Sequence, residues 1–151
     1  MQPRIENIGK KKLIGKHLKM SVADNRTSEL WSGFMPKLKD IKNRVSAEMI
    51  SMQVYEVAYF KNFSPNHEFE KWATVEVSDF NDCPNDLKTF LLTGGLYAVF
   101  DYKGSGADAR IFHYIFSIWL PSSKYDLDIR PHFEVLGEKY SSFHLLTKGE
   151  S

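Results

Sequence analysis

The stretches MISMQVYEVAYF (residues 49–60) and FEKWATVEVSDF (residues 69–80) decide the fold class. Both are rich in β-branched and aromatic residues, which favour strands. Between them lie the turn-forming residues Asn62, Ser64, Pro65 and Asn66. The pattern therefore predicts two antiparallel strands joined by a turn.

On the N-terminal side of this pair, the sequence predicts a strand followed by a helix. Residues 11–21 (KKLIGKHLKMS) alternate imperfectly between apolar and basic residues, as in a strand with one wet face. Asn25 or Thr27 is a candidate N-cap for the helix. Its apolar face is formed by Leu30, Trp31, Phe34, Met35, Leu38 and Ile41. Pro36 lies inside this pattern, so we expect a kink there or a second short helix with Pro36 in its first turn.

On the C-terminal side, the same order of elements returns. Residues 96–102 (LYAVFDY) predict a strand, residues 111–120 a helix that Pro121 ends, and residues 128–136 (DIRPHFEVL) another strand. The segment at residues 86–92 is too short to assign, and residues 141–151 are weakly patterned. The sequence therefore predicts an α+β fold in which one strand-helix-strand-strand unit is used twice, with two helices on an antiparallel sheet.

Composition limits the classes of protein and of site. A chain of 151 residues fits one domain, here residues 1–151, and its net charge of +1 gives no general attraction for nucleic acid or a membrane. No apolar run is long enough for a membrane span or a secretory signal, and the single cysteine, Cys83, suits a reducing compartment, so we expect a cytoplasmic protein. The five histidines form no i, i+4 pair, and we predict no metal and no cofactor.

Four stretches together resemble the GyrI-like effector-binding domain of AraC-type and MerR-type bacterial transcription activators. They are Leu30-Trp31 with FMPKL at residues 34–38, GGLYAVF at residues 94–100, WLPSSKYDLD at residues 119–128 and RPHFE at residues 130–134. The resemblance covers about residues 3–140. It implies a duplicated strand-helix-strand-strand fold whose central cleft holds hydrophobic, often cationic compounds around a buried glutamate. By its position in RPHFE, that glutamate is Glu134.

The sequence departs from the family at both ends. No helix-turn-helix precedes the module, so we expect no direct binding to nucleic acid. The family closes with an acidic turn and an apolar strand, whereas residues 140–151 here read YSSFHLLTKGES. The last strand is therefore in doubt, and residues 141–151 are expected to form an atypical tail.

Glu134 is the candidate that supplies charge to the site. Strand alternation places it on one face with His132 and Leu136, and that face is either wet or buried. If Glu134 is buried, it must be paired or protonated, because an isolated buried charge costs several kcal/mol. An arriving organic cation would supply the partner. The plain alternative is a solvated glutamate on a strand.

Six further residues are candidates for the walls of the cleft. Trp119 and Tyr97 each carry a polar tip that prefers a hydrogen-bond partner, and Tyr55 and Trp31 follow them. Phe34 and the adaptable Met35 complete the set on the first helix, although core packing is the plain explanation for a phenylalanine or a methionine on a helix face. A cleft with aromatic walls and one carboxylate selects its ligands by their charge and hydrophobicity more than by their exact shape.

These residues lead to one function and two alternatives. The favoured hypothesis is a stand-alone domain that senses or sequesters hydrophobic or cationic small molecules and performs no chemistry. The first alternative is a hydrolase of small electrophilic compounds, in which Glu134 activates water and Tyr97 or Tyr55 protonates the leaving group. The second is a protein-interaction module such as a gyrase inhibitor. The sequence leaves homodimerisation and a regulatory protein partner open.

Overall fold

A computed structural model describes residues 3–55, 64–102, 118–123, 125–127, 132–136 and 140–148. Its strands are β1 (Arg4–Ile8), β2 (Lys11–Met20), β3 (Met49–Val54), β4 (Phe69–Val77), β5 (Lys88–Leu92), β6 (Gly95–Tyr102), β7 (Tyr125–Leu127), β8 (His132–Leu136) and β9 (Tyr140–Lys148). Its helices are α1 (Thr27–Phe34), a 3-10 helix (Met35–Asp40) and α2 (Leu120–Ser122). The elements give an α+β fold.

Two units with the same strand order form the sheet. The order is β1-β6-β9-β8-β3-β4-β2-β5, with antiparallel pairing throughout and β7 paired to β9. In the first unit, β4 lies between β2 and β3, and in the second unit, β9 lies between β6 and β8. The pairing of β3 with β8 joins the two units. This arrangement confirms the predicted duplication.

The strand that precedes each unit pairs with the other unit. β1 comes before the first unit and pairs with β6 of the second, whereas β5 comes before the second unit and pairs with β2 of the first. Three pairings therefore cross between the two halves of the chain, which ties the halves together through backbone hydrogen bonds as well as through side chains.

The two faces of the sheet carry separate hydrophobic clusters. On the face that α1 covers, which we call the helix face, the buried residues are Ile14, Met20, Leu30, Phe34, Ile41, Ala73, Val75, Val77 and Leu87. On the opposite face they are Leu13, Ile50, Met52, Trp72, Leu92, Tyr97, Val99 and Phe133. Ala73, Val75 and Val77 of β4 belong to the first cluster and Trp72 to the second, which is the alternation expected of a strand with two covered faces.

Most of the predicted elements are present in the described residues. β3 and β4 form the antiparallel pair expected from their sequences. Pro36 lies in the first turn of the 3-10 helix that follows α1, where its missing N–H costs no helical hydrogen bond. Of the two expectations for Pro36, a kink or a second short helix, the second is confirmed. The predicted helix over residues 111–120 lies mostly outside the described residues. Its end is α2, which includes Pro121, and the Ser122 hydroxyl donates to the Ile118 carbonyl at 2.9 Å.

Four strands go beyond the sequence prediction, namely β1, β5, β7 and β9. The last strand, which the sequence leaves in doubt, is present as β9, and it lies between β6 and β8. Pairing on both sides stabilises a strand whose own sequence pattern is weak, since strand propensity depends strongly on context. β1 had no prediction, and the unassigned segment at residues 86–92 contains β5. Both are short strands that complete the ends of the sheet.

Candidate functional site

The helix face carries a cluster of buried polar side chains where the two units meet. Cross-strand partners point to the same side of a sheet, so Glu134 of β8, Ser51 of β3 and Ala73 of β4 share the helix face. In the neighbouring row, His132 pairs with Gln53, and Gln53 pairs with Lys71. Because β3 and β8 are the junction of the sheet, this cluster lies between the halves.

Glu134 is buried, as the resemblance implies. Its residue is 8% exposed, and the Gln53 amide, also 8% exposed, donates a long hydrogen bond of 3.5 Å from Nε2 to Oε1 of Glu134. Ser51 and His132 beside them are each 3% exposed. The prediction that Glu134 and His132 share one face is confirmed, and of the two alternatives for that face, wet or buried, the structure shows the buried one. The role of Glu134 in binding stays a prediction.

Tyr55 lies on the rim of this cluster. Its ring centroid is 6.0 Å from that of His132 and 5.4 Å from that of Phe69. A cavity of about 240 Å³ opens beside it, lined by Lys19, Val54, Tyr55, Glu68, Phe69 and Glu70. Small-molecule pockets in proteins usually enclose about 300–1,000 Å³. The structure therefore places Tyr55 beside His132 of the cluster and next to a cavity whose lining does not include Glu134.

Lys71 is a half-buried cation on the same face. Its Nζ donates a 3.4 Å hydrogen bond to Oγ1 of Thr27, the first residue of α1. Burial lowers the pKa of the Lys71 ammonium from its ordinary value, and the negative charge of Glu134 opposes that shift. The site therefore contains one buried acid and one desolvated base.

The start of α1 is fixed by local polar contacts. The Asn25 side chain accepts a 3.0 Å hydrogen bond from the Thr27 N–H and a 2.6 Å bond from the Thr27 hydroxyl. Glu29 in the first turn pairs with Arg26 at 2.8 Å, and this contact lowers the pKa of Glu29. Neither candidate cap is at the N-cap position, which Arg26 occupies without a side-chain capping bond, because α1 begins at Thr27. Asn25 lies one residue before the N-cap and bonds to the first helical residue instead. It also holds the Thr27 hydroxyl in the position that Lys71 contacts.

The aromatic candidates of α1 differ in exposure. Phe34 is fully buried and packs edge-on against Trp31 at a centroid distance of 5.9 Å, and Trp31 is half-buried at the margin of the cluster. Met35 is 46% exposed. Phe34 therefore packs in the core beneath α1, whereas Trp31 and Met35 present surface.

Trp119 lies on the side of the sheet that carries Glu134. Phe100 pairs with Ser142, and Ser142 pairs with Glu134, so the register places Phe100 on the helix face. The Trp119 ring contacts Phe100 edge-on at 5.3 Å. Trp119 is half-buried. Trp119 and Trp31 therefore share the helix face with Glu134.

Tyr97 lies on the opposite face. It is fully buried, its hydroxyl donates a 3.0 Å hydrogen bond to the Thr93 carbonyl, and its ring packs edge-on against Phe133 at 5.4 Å. Adjacent strand residues point to opposite faces, so Phe133 and Glu134 are on different sides of β8. The structure therefore does not bring Tyr97 together with Glu134, and its polar tip is used within the core.

Sequence reasoning missed Gln53 and Lys71. Gln53 is the polar residue between Met52 and Val54 in a strand of mostly buried residues, and Lys71 is the only charged residue among the helix-face positions of β4. A long polar side chain within a strand of mostly apolar residues is a signal that could have found both. Within the described residues, no group of three or more His, Cys, Asp or Glu side chains is arranged to hold a metal ion.

No helix in the described part of the chain has the length and apolarity needed to cross a bilayer.

The family of integron-associated effector-binding proteins (Cass2) matches residues 4–148. No curated protein matches the chain.

Solved structures share the fold. The integron cassette protein VCH_CASS2 of Vibrio cholerae has a TM-score of 0.71 at 12% identity, with 97% of each chain covered. SAV2435, solved bound to tetraphenylphosphonium, has a TM-score of 0.66 at 13% identity, with 97% of this chain and 94% of that chain covered. The C-terminal domain of EcmrR has a TM-score of 0.71 at 12% identity, with 97% and 98% covered. At such low identity these likenesses show the fold alone.

Proposed function

Because the chain belongs to the family of integron-associated effector-binding proteins, we propose that it binds hydrophobic organic cations on the helix face, beside Glu134. Tyr55, Trp31 and Trp119 supply aromatic surface around the carboxylate, and Phe34 and Met35 support or flank Trp31. Capture of such a compound suits a sensing or sequestering role. The similar fold of SAV2435, which was solved with a hydrophobic cation, supports the proposal.

The buried position of Glu134 is the observation that carries the proposal. A carboxylate at 8% exposure has lost most of its hydration, so a cation that fits beside it gains a stronger attraction than it would in water. A hydrophobic cation loses little hydration in return, because its charge is spread and shielded by apolar groups. A well-placed aromatic ring adds about 0.5–2 kcal/mol through its negative face.

The test compares two probes of nearly the same shape and opposite charge, tetraphenylphosphonium and tetraphenylborate. We expect tetraphenylphosphonium to quench tryptophan fluorescence and raise the melting temperature, and tetraphenylborate to do neither. Glu134→Gln should weaken the phosphonium affinity by at least about tenfold, since breaking a buried charge pair costs on the order of 2–5 kcal/mol. The exposed Glu48 provides the matched control, Glu48→Gln, which should bind as the wild type does.

Equal binding of both probes, unchanged by Glu134→Gln, would contradict the proposal. Hydrolysis is checked in the same samples by mass spectrometry of the recovered ligand. Tyr97, one of the two tyrosines considered as the acid of a hydrolase, lies on the face opposite Glu134 and cannot donate to a compound bound there. Tyr55 is then the tyrosine left for the hydrolase alternative, and the mass spectrometry decides between binding and turnover.

A further inference from the structure

The cavity beside Tyr55 lies at the end of the sheet where β2, β3 and β4 meet, and we call it the end cavity. It is lined by two carboxylates, one ammonium, two aromatic rings and a valine, which belong to Glu68, Glu70, Lys19, Tyr55, Phe69 and Val54. On the face opposite α1, the register places Lys19 beside Glu70 and Glu70 beside Val54. Because Glu134 is not part of this lining, the end cavity is separate from the site proposed for cations.

Two neighbours hold the Glu70 carboxylate at the end cavity. The Trp72 indole Nε1 donates a 2.9 Å hydrogen bond to Oε1 of Glu70, and Oε2 lies 3.4 Å from Nδ1 of His17. The His17 ring stacks on the buried Trp72 ring at a centroid distance of 4.4 Å, so both neighbours are fixed to the core. A carboxylate can accept about four hydrogen bonds, and the Glu70 side chain is 30% exposed. It is therefore positioned and still able to accept from a ligand.

This arrangement leaves Lys19 without an ionic partner. Lys19 is the cross-strand partner of Glu70, a position at which opposite charges normally interact. The Glu70 carboxylate contacts Trp72 and His17 instead, and among the described residues Lys19 makes no ion pair or hydrogen bond. The same holds for Glu68 in that part of the chain. The wall of the end cavity thus presents charges of both signs that no described side chain neutralises.

The aromatic side of the end cavity limits the size and polarity of a ligand. The rings of Tyr55 and Phe69 lie 5.4 Å apart and are tilted by 46°, which gives an apolar surface next to Val54. The cavity volume of about 240 Å³ is below the range of about 300–1,000 Å³ found for pockets that hold drug-sized compounds. A ligand of this cavity is therefore small and carries an apolar group.

We propose that the end cavity is a second binding site, for a small zwitterion with an apolar side chain, of the α-amino acid class. The ammonium group of the ligand binds Glu70, its carboxylate binds Lys19, and its side chain lies against Tyr55 and Phe69. A ligand with only a positive charge leaves the Lys19 ammonium opposed, and one with only a negative charge meets Glu68 and Glu70. This site goes beyond the proposed capture of hydrophobic cations, because its place and its ligand class are both different.

Three probes that share one phenylethyl group test the proposal. L-Phenylalanine is the zwitterion, 2-phenylethylamine lacks its carboxylate, and 3-phenylpropanoate lacks its ammonium. The indole N–H signal of Trp72, identified by its loss in Trp72→Phe, reports binding in ¹H–¹⁵N NMR, because this N–H donates to Glu70. We expect phenylalanine to shift this signal and to bind about tenfold more tightly than either analogue, or about 1.4 kcal/mol. Equal affinity for an analogue, or no shift of the Trp72 signal, would overturn the inference.

Two variants identify the groups that bind the zwitterion. Glu70→Gln keeps an acceptor for the Trp72 indole and should weaken phenylalanine binding about tenfold. Lys19→Met, at an exposed position, should also weaken phenylalanine binding but not that of 2-phenylethylamine. The exposed residues Glu48 and Lys10 give the matched controls Glu48→Gln and Lys10→Met, which should bind as the wild type does. Wild-type affinity for phenylalanine in Lys19→Met would overturn the inference.

The two proposed sites can fail separately. A chain that binds tetraphenylphosphonium, but whose Trp72 signal does not respond to phenylalanine, would overturn the end-cavity site alone. A chain that binds phenylalanine at Trp72, but no tetraphenylphosphonium, would overturn the proposed function and support the end-cavity site.

Discussion

Tyr97 provides its ring and its hydroxyl to the core. The ring packs against Phe133, and the hydroxyl satisfies the Thr93 carbonyl, both on the face opposite Glu134. Tyr97→Phe should therefore lower the free energy of unfolding by about 1 kcal/mol, the net value of a buried hydrogen bond, without changing the affinity for tetraphenylphosphonium. Urea unfolding and a fluorescence titration measure the two effects.

Tyr55, which directly follows β3, is the matched comparison for Tyr97 on β6, since the two tyrosines lie on different faces of the sheet. Its ring lies at 6.0 Å from His132, beside the cavity. Tyr55→Ala should weaken tetraphenylphosphonium binding about two- to tenfold, in line with one cation–π contact. If Tyr97→Phe weakened binding and Tyr55→Ala did not, the assignment of the site to the helix face would be wrong.

Among the elements, β2 and β4 approach each other closely at Gly15. A Cβ atom at this position would lie 1.9 Å from the Ala73 carbonyl oxygen, and β4 cannot retreat because it is paired on both sides. Gly15→Ala should therefore lower the free energy of unfolding by about 1–3 kcal/mol. Gly9→Ala is the control, since a Cβ there meets nothing within 4 Å. Equal melting temperatures for the two variants would contradict this account of Gly15.

β9 joins the outer part of the sheet to its centre. It pairs with β6 on one side and with β8 on the other, so its removal would separate β1 and β6 from the remaining strands. A stop codon in place of Tyr140 should therefore abolish the cooperative urea transition, whereas a chain ending at Lys148 should keep it. A cooperative transition in the shorter chain would show that β9 is dispensable.

The sequence was sufficient to predict the strands and helices that have a local pattern of apolar residues. It was not sufficient to predict the strands that are stabilised by partners distant in the chain. β3, β4 and α1 follow from apolar spacing and turn residues near Asn62 and Asn25. β9 could not be predicted in the same way, because its stability comes from β6 and β8 and not from its own alternation.

In the candidate site too, the sequence predicted the residue that belongs to a local motif and missed those that distant strand pairing brings to it. The family resemblance implied a buried acid at the glutamate of RPHFE, whereas strand alternation alone left a wet or a buried face open for Glu134. Gln53 and Lys71 lie more than sixty residues earlier in the chain, and only the pairing of β3 with both β4 and β8 brings them to Glu134. The face of Tyr97 likewise depends on a register that single-sequence patterns do not specify.

In the whole molecule, the exchanged strands make each half depend on the other. Residues 1–84 contain β1–β4 and residues 85–151 contain β5–β9, and three pairings cross between them, β1 with β6, β2 with β5 and β3 with β8. Each half alone would expose three unpaired strand edges and part of both hydrophobic clusters. Neither half alone can form the backbone hydrogen bonds of these three strand pairings.

We therefore expect fragments 1–84 and 85–151 to be largely unstructured alone and to regain the native sheet when mixed in equal amounts. Circular dichroism and size-exclusion chromatography measure the recovery. Tetraphenylphosphonium binding adds a sharper readout, because Glu134 lies in one fragment and Gln53, Tyr55 and Lys71 lie in the other, so only the mixture should bind the probe. A single fragment that unfolds cooperatively, or that binds the cation with wild-type affinity, would show that one unit is sufficient and that the exchange of β1 and β5 does not hold the halves together.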